Sequence, residues 1–188
     1  ISDATAHAEL ALALATDTVT AAALTKGVRR IVVVSADARV RLVFLSEGVE
    51  VLDEQFTLGL NAALLGGFSW LREQDRGSAV GALQADLPAL RPAHLAAALA
   101  EAQGRRAYCA DRNGSGTTLL LAAAGGSLDP MFGPGSAMAH AASNATPITA
   151  SVPSLRCDVD TVDDLTVAAE LGLGSRTSAL LSTASPVC

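Results

Sequence analysis

Val80-Gly81-Ala82-Leu83-Gln84-Ala85-Asp86-Leu87-Pro88-Ala89-Leu90 is an apolar run that stops at an acidic residue, with a proline two positions further on. A run of that length reads as a buried strand, and proline turns the residue before it away from helical geometry. Asp86 is therefore expected at the carboxyl end of a central strand, where open α/β sheets bind their ligands. Upstream, R-I-V-V-V-S (30–35) is β-branched and continuous, as in a parallel strand covered on both faces, and G-V-E-V-L (48–52) is a weaker second strand. Helical spacing appears at 3–24 through Leu10 and Leu14, from residue 60 through Leu60, Leu64, Phe68 and Leu71, and at 91–103 through Leu95 and Leu99. Gly66 and Gly67, inside the second of these, each cost about 1 kcal/mol relative to alanine, or mark a close backbone approach. Strands are expected at 107–110, at 117–122 and in a segment ending at Asp158. Residues 125–136 read as an ordered Gly/Pro loop. Thr161 with Asp164 resembles a capping box ahead of a last helix, and the Ser/Thr-rich tail after Gly172 is expected to fray from about 175. Strands alternating with helices predict an α/β fold, a mostly parallel sheet flanked by helices, in one domain over 1–188.

The chain has 188 residues, enough for a real core, and half of them are apolar. No run reaches the roughly 18 uninterrupted apolar residues of a membrane span. The sequence opens on Ile1, and its alanine-rich start has no basic leader of the signal-peptide kind. A net charge of -6 argues against a nucleic-acid surface but leaves room for a nucleotide held by main-chain donors and a divalent cation. Cys109, Cys157 and Cys188 are widely spaced with no C-x-x-C pair, and read as reduced, structural thiols of a cytoplasmic protein.

Three stretches carry chemistry. Asp86 and the later knot Cys157-Asp158-Val159-Asp160-Thr161 place carboxylates at two strand ends. Residues two apart on a strand share a face, so Asp158 and Asp160 can turn toward one cation along with Asp86. Hard oxygen ligands without a His/Cys cluster favour magnesium over zinc. Capping of the following turns is the plainer alternative for all three. Asp111-Arg112-Asn113-Gly114-Ser115-Gly116-Thr117-Thr118 is either a glycine-rich approach to an anion or a simple hairpin turn. Asp129-Pro130-Met131-Phe132-Gly133-Pro134-Gly135-Ser136 leads into a helix and offers free N–H groups to an anion, or else is a rigid connector with Ser136 as N-cap. His140 reads as a helix-surface residue, and His7 and His94 have no partners in the sequence. The chain contains no G-x-S-x-G, no Walker A and no G-x-G-x-x-G after its first strand.

Q-A-D-L-P-A-L (84–90), A-D-R-N-G-S-G-T (110–117), L-D-P-M-F-G-P-G-S (128–136) and R-C-D-V-D-T-V-D-D-L (156–165) together resemble the 2-phospho-L-lactate guanylyltransferase family. Within it the match is to the phosphoenolpyruvate guanylyltransferase branch, which serves coenzyme F420 biosynthesis. Each motif alone is modest, but four in one order within 3–175 are specific. The resemblance implies a Rossmann-like nucleotidyltransferase fold. It also implies transfer of GMP from GTP to phosphoenolpyruvate or 2-phospho-L-lactate, with release of pyrophosphate. By motif, Asp86, Asp158 and Asp160 would hold Mg2+, Thr117, Gly133 and Ser136 would bind the acceptor's phosphate and carboxylate, and Asn61 would lie near the nucleotide. Thr118 beside Thr117 leaves an ambiguity of one position. Family members open with a strand and a basic loop of the form K-x-x-x-x-A-K-x-R-L that cradles the triphosphate. Here the sequence opens at the helix expected to follow, so that first strand and basic loop are missing from the pattern. Two other readings stand beside this one. One is a related nucleotidyltransferase acting on another phosphorylated metabolite, against which the G-P-G-S loop argues. The other is a non-catalytic phosphometabolite-binding domain of the same fold. The oligomeric state is open.

Overall fold

The computed structural model describes residues 3–53 and 59–184; Cys188 lies outside the described residues. In chain order the elements are α1 (Asp3–Ala23), β1 (Val32–Val34), α2 (Ala38–Ser46), β2 (Glu50–Leu52), α3 (Leu60–Gln74), β3 (Val80–Leu83) and α4 (Pro92–Ala102). There follow β4 (Ala107–Ala110), β5 (Thr117–Ala122), α5 (Ser136–Ala142), β6 (Thr146–Pro147), a 3-10 turn (Pro153–Leu155), α6 (Val162–Leu171) and α7 (Ser175–Ala184). The α/β class read from the sequence is the class observed.

β3, β5, β4 and β6 form a four-stranded sheet in that order. β5 runs antiparallel to both neighbours, one of which, β4, is joined to it directly by a six-residue loop, while β4 and β6 are parallel. Alternate side chains of β5 feed two cores. Leu119 and Leu121 pack with Leu95, Ala98 and Cys109 on the α4 side, whereas Leu120 and Ala122 pack with Tyr108, Leu128 and Phe132 on the other.

β1 and β2 form a separate parallel pair. Arg29, just before β1, donates to Asp75 at 2.9 Å and to Ser78, just before β3, and so ties the approaches to the two strands together. Their hydrogen-bond registers leave the backbones of Val32 and Val34 facing away from β2, and those of Gly81 and Leu83 facing away from β5. Both free edges border a cavity of about 790 Å³, roofed by Gly67 and Leu71 of α3. A Cβ on Gly67 would stand 3.0 Å from Val34 Cγ2, so this glycine marks the close backbone approach, whereas Gly66 faces open space.

Three expectations need correction. β3, the strand ahead of Asp86, is the edge strand of its sheet and not a central one, because among the described residues only β5 pairs with it. No strand ends at Asp158. Pro153 opens a 3-10 turn there instead, and the residues beyond it are irregular, tied to the β3 segment by the Val159 N–H donating to the Asp86 carbonyl at 3.0 Å. The tail is helical over Ser175–Ala184, where fraying was expected; residues 185–188 lie outside the described residues. Asp17 on α1 accepts from the N–H groups of Arg176 (3.0 Å) and Thr177 (2.8 Å), capping α7 from a distant element. The capping box at Thr161 and Asp164 is present as read.

Candidate active site

Asp86 lies three residues past the end of β3, in a turn held from α1. The Thr18 hydroxyl accepts from Leu87 N–H at 3.0 Å, a long-range bond between buried groups. The turn buries Leu87, Ala89 and Leu90 and leaves Asp86 at the rim. One of its carboxylate oxygens, Oδ1, is buried without a hydrogen-bond partner. Burial pushes the Asp86 carboxyl up to about 6, and the charge of Asp160 adds to the rise. Asp158 is likewise pushed up to about 6, first by burial and then by the charges of Asp86, Asp111 and Asp160. Asp160 is exposed. Since Asp158 and Asp160 are not on a strand, period-two alternation does not place them on one face. Among the described residues no three His, Cys, Asp or Glu side chains form a ready metal cage. The three aspartates share one electrostatic neighbourhood, and a buried, unpartnered carboxylate oxygen among like charges suits a hard divalent cation.

Beside this acidic group lies a neutral one. Asp111 caps the β4–β5 loop, accepting from Ser115 N–H at 2.9 Å and from Gly116 N–H at 2.8 Å. A Cβ at Gly116 would fall 2.6 Å from Asp111 Oδ2, so only glycine allows this cap. The loop is the hairpin between β4 and β5, and Arg112 anchors it to the start of α6 through Asp164 at 2.6 Å. The register then shifts between Cys109 and Ala110, so that Ala110 pairs with Thr117. This irregularity separates the two threonines. Thr118 turns its hydroxyl onto the Cys109 carbonyl, whereas Thr117 places its own 2.9 Å from His140 Nδ1.

The loop 128–136 packs against Thr117 from the other side. Met131 N–H donates to His140 Nε2 at 3.0 Å. Asn61, in the first turn of α3, grips the next residue, Phe132, with both ends of its amide. Nδ2 donates to the Phe132 carbonyl at 3.0 Å, and Oδ1 accepts from Phe132 N–H at 2.8 Å. Gly133 and Gly135 take positive φ values of 134° and 75°, which bend the chain into α5. Two donors expected to be free at the start of that helix are occupied: Ser136 N–H bonds to the Gly133 carbonyl and Ala137 N–H to the Ser115 carbonyl, each at 3.1 Å. Ser136 is nonetheless buried beside this loop, one helical turn from His140.

Thr117, Ser136 and the Gly133 loop are thus brought together, and Asn61 is joined to that group. His140 was misread from the sequence. It is fully buried, ringed by Phe132 at 5.3 Å and Tyr108 at 6.2 Å, and burial together with Arg106 lowers its pKa. Its four-residue spacing from Ser136 was the one available signal. His94, without a partner in sequence, pairs its Nδ1 with Ser154 Oγ at 2.7 Å. Cys109 and Cys157 are free and buried, as structural thiols are. No helix among the described residues is long and apolar enough to cross a membrane.

Carboxylates past the end of β3 and a glycine-rich loop leading into α5 stand on an α/β scaffold, and residues 12–130 match the model of the MobA-like NTP transferase domain, which makes the chain a nucleotidyltransferase. The phosphoenolpyruvate guanylyltransferase of Salinispora arenicola is 45% identical over 96% of this chain and 84% of its own length. Those of Nocardia farcinica (46%, over 93% and 79%) and Streptomyces scabiei (47%, over 90% and 82%) are similar to it to the same degree. The chain belongs to the phosphoenolpyruvate guanylyltransferase family.

Proposed function

We propose that this enzyme transfers GMP from GTP to the phosphate of phosphoenolpyruvate, releasing pyrophosphate, as a step of coenzyme F420 biosynthesis. The observation that carries the reading is the adjacency of two unlike sites. One is a group of carboxylates around the unpartnered Asp86 Oδ1, and the other an uncharged cluster in which the buried hydroxyls of Thr117 and Ser136 lie beside the Gly133 loop. Asp111, whose charge reaches Asp158, caps the loop that runs into Thr117, so the two sites adjoin. The relatives' names supply the guanylyl donor and the acceptor.

In this reading Asp86, Asp158 and Asp160 hold Mg2+. The ion would offset charge on the triphosphate and its leaving group. An acceptor phosphate oxygen, already ionised near neutral pH, attacks the α-phosphorus of GTP. The bond from that phosphorus to the bridging oxygen breaks, and pyrophosphate leaves with the electron pair. No proton is abstracted, so no general base is needed, and the lack of an exposed histidine at the site fits. Thr117 and the Gly133–Ser136 loop fix the acceptor, and catalysis is positioning plus charge stabilisation.

Pyrophosphate release from GTP and Mg2+ tests the proposal, with phosphoenolpyruvate, 2-phospho-L-lactate, 3-phosphoglycerate or no acceptor. The assay is run on this chain and on a form carrying a basic loop of the K-x-x-x-x-A-K-x-R-L kind ahead of Ile1. The expected result is release that requires an acceptor and is fastest with phosphoenolpyruvate. Release without acceptor, or none from either form, would overturn it.

A further inference from the structure

The geometry points to His140 as a positioning residue that holds the Thr117 hydroxyl as a hydrogen-bond donor toward the acceptor. This rests on the proposed function, in which Thr117 binds the acceptor, and goes beyond it by assigning the proton.

Both ring nitrogens of His140 are engaged, and one partner leaves no choice of role. A backbone N–H can only donate, so His140 Nε2, 3.0 Å from Met131 N, must be the unprotonated nitrogen. In a neutral ring the proton then sits on Nδ1 and is donated to Thr117 Oγ1 at 2.9 Å. A hydroxyl that receives a hydrogen bond this way must aim its own proton elsewhere. Among the described residues Thr117 Oγ1 has no other partner, and Thr117 is 4% exposed. Its proton is therefore free for an oxygen entering the pocket, and an anionic oxygen gains most from it.

The surroundings hold the ring in this state. Burial and the nearby Arg106 guanidinium both oppose a second proton. Arg106 is itself fixed, donating to the carbonyls of Ser143, Leu128 and Asp129. Tyr108, the other titratable group against the ring, lies tilted at 42° to it with the ring centres 6.2 Å apart. A single side chain thus joins β5, the 128–136 loop and α5, and settles which way the pocket's hydroxyl points.

The nitrogen-15 shifts of the His140 ring near pH 7.5 read the tautomer directly. Nδ1 is expected to be protonated and Nε2 bare; the opposite tautomer, or a doubly protonated ring, overturns the inference. Kinetics test its consequence. In His140→Gln the side-chain oxygen can still accept from Met131, but nothing donates to Thr117. Its phosphoenolpyruvate KM should rise about tenfold, with the GTP KM unchanged. In a Thr117→Val background the same substitution should add no further change, whereas a merely structural role would persist there and raise both KM values. His140→Asn, which retains a donor near the Nδ1 position, should recover part of the loss. Absence of any transfer by the wild-type enzyme would refute the proposed function instead. The ring shifts would then decide the tautomer alone.

Discussion

Replacing Asp86 with asparagine should make the metal-free protein more stable while abolishing transfer. The Asp86 carboxyl is raised from 3.8 to about 6. At about 1.4 kcal/mol per pKa unit, that is a cost on the order of 3 kcal/mol to the folded state once the group is ionised. The sign follows from the direction of the shift. A carboxyl with a higher pKa in the folded state binds its proton more tightly there, so the cost is full above about pH 6. It fades as pH falls toward 3.8, and wild-type stability gains through that window. Asparagine removes the charge but leaves a polar group where Oδ1 has no partner, so about half of the gain should survive. For a chain of this size that is a rise in Tm of roughly 3–6 °C near pH 8. Paired thermal melts in a chelator, near pH 8 and near pH 4.5, provide the assay. An Asp86→Asn protein that melts at or below wild type near pH 8, or a difference that does not shrink on acidification, would falsify the account of Asp86 as an unrelieved buried charge. On the proposed reading, guanylyl transfer by the variant should fall at least about 1000-fold, since one of the three carboxylates that would hold Mg2+ is lost.

Two further outcomes concern the frame around the site. Arg72 spans four carbonyls, of Arg76, Ser78, Ala123 and Gly126, at 2.6–3.0 Å, with its guanidinium 5.2 Å from the Phe68 ring centre. Arg72→Leu should cost about 3 kcal/mol, read as a urea midpoint lower by roughly 1 M, and Arg72→Lys should recover little because an ammonium cannot span that fork. Asp17→Ala should cost about 1–2 kcal/mol by uncapping α7, and amide exchange should quicken at Arg176 and Thr177 while α1, in which alanine is at ease, keeps its protection.

Most of the fold was legible because its elements are signalled locally. Leu95 and Leu99 gave α4 its spacing, V-V-V gave β1 its branching, and Thr161 with Asp164 stated the start of α6 outright. α2 was missed: Arg39 and Arg41 interrupt its apolar face, only Phe44 is buried, and the cap at Asp37 carries its start. α7 was missed for a different reason. Its cap comes from Asp17, far away in sequence, and no window of sequence contains both. The site divides in the same way. Asp86, Asp158, Thr117 and Ser136 stand in motifs that can be read one at a time. The register shift that turns Thr117 toward His140, and the two-sided grip of Asn61 on Phe132, exist only once separate elements have met.

The linkage through α1 has a consequence for the order in which the molecule becomes competent. Thr18 holds the Asp86 turn while its neighbour Asp17 holds α7, and Gly174 N–H closes onto the Pro88 carbonyl at 2.8 Å. The turn that carries Asp86 is thus braced by Thr18 on one side and Gly174 on the other, non-local contacts of a kind that is slow to form. On the ribosome, where the amino-terminal part emerges first, all three aspartates are synthesised before Gly174, Asp86 by a wide margin. A chain stalled at residue 170 carries every acidic side chain of the site and lacks the last brace of the turn that presents Asp86.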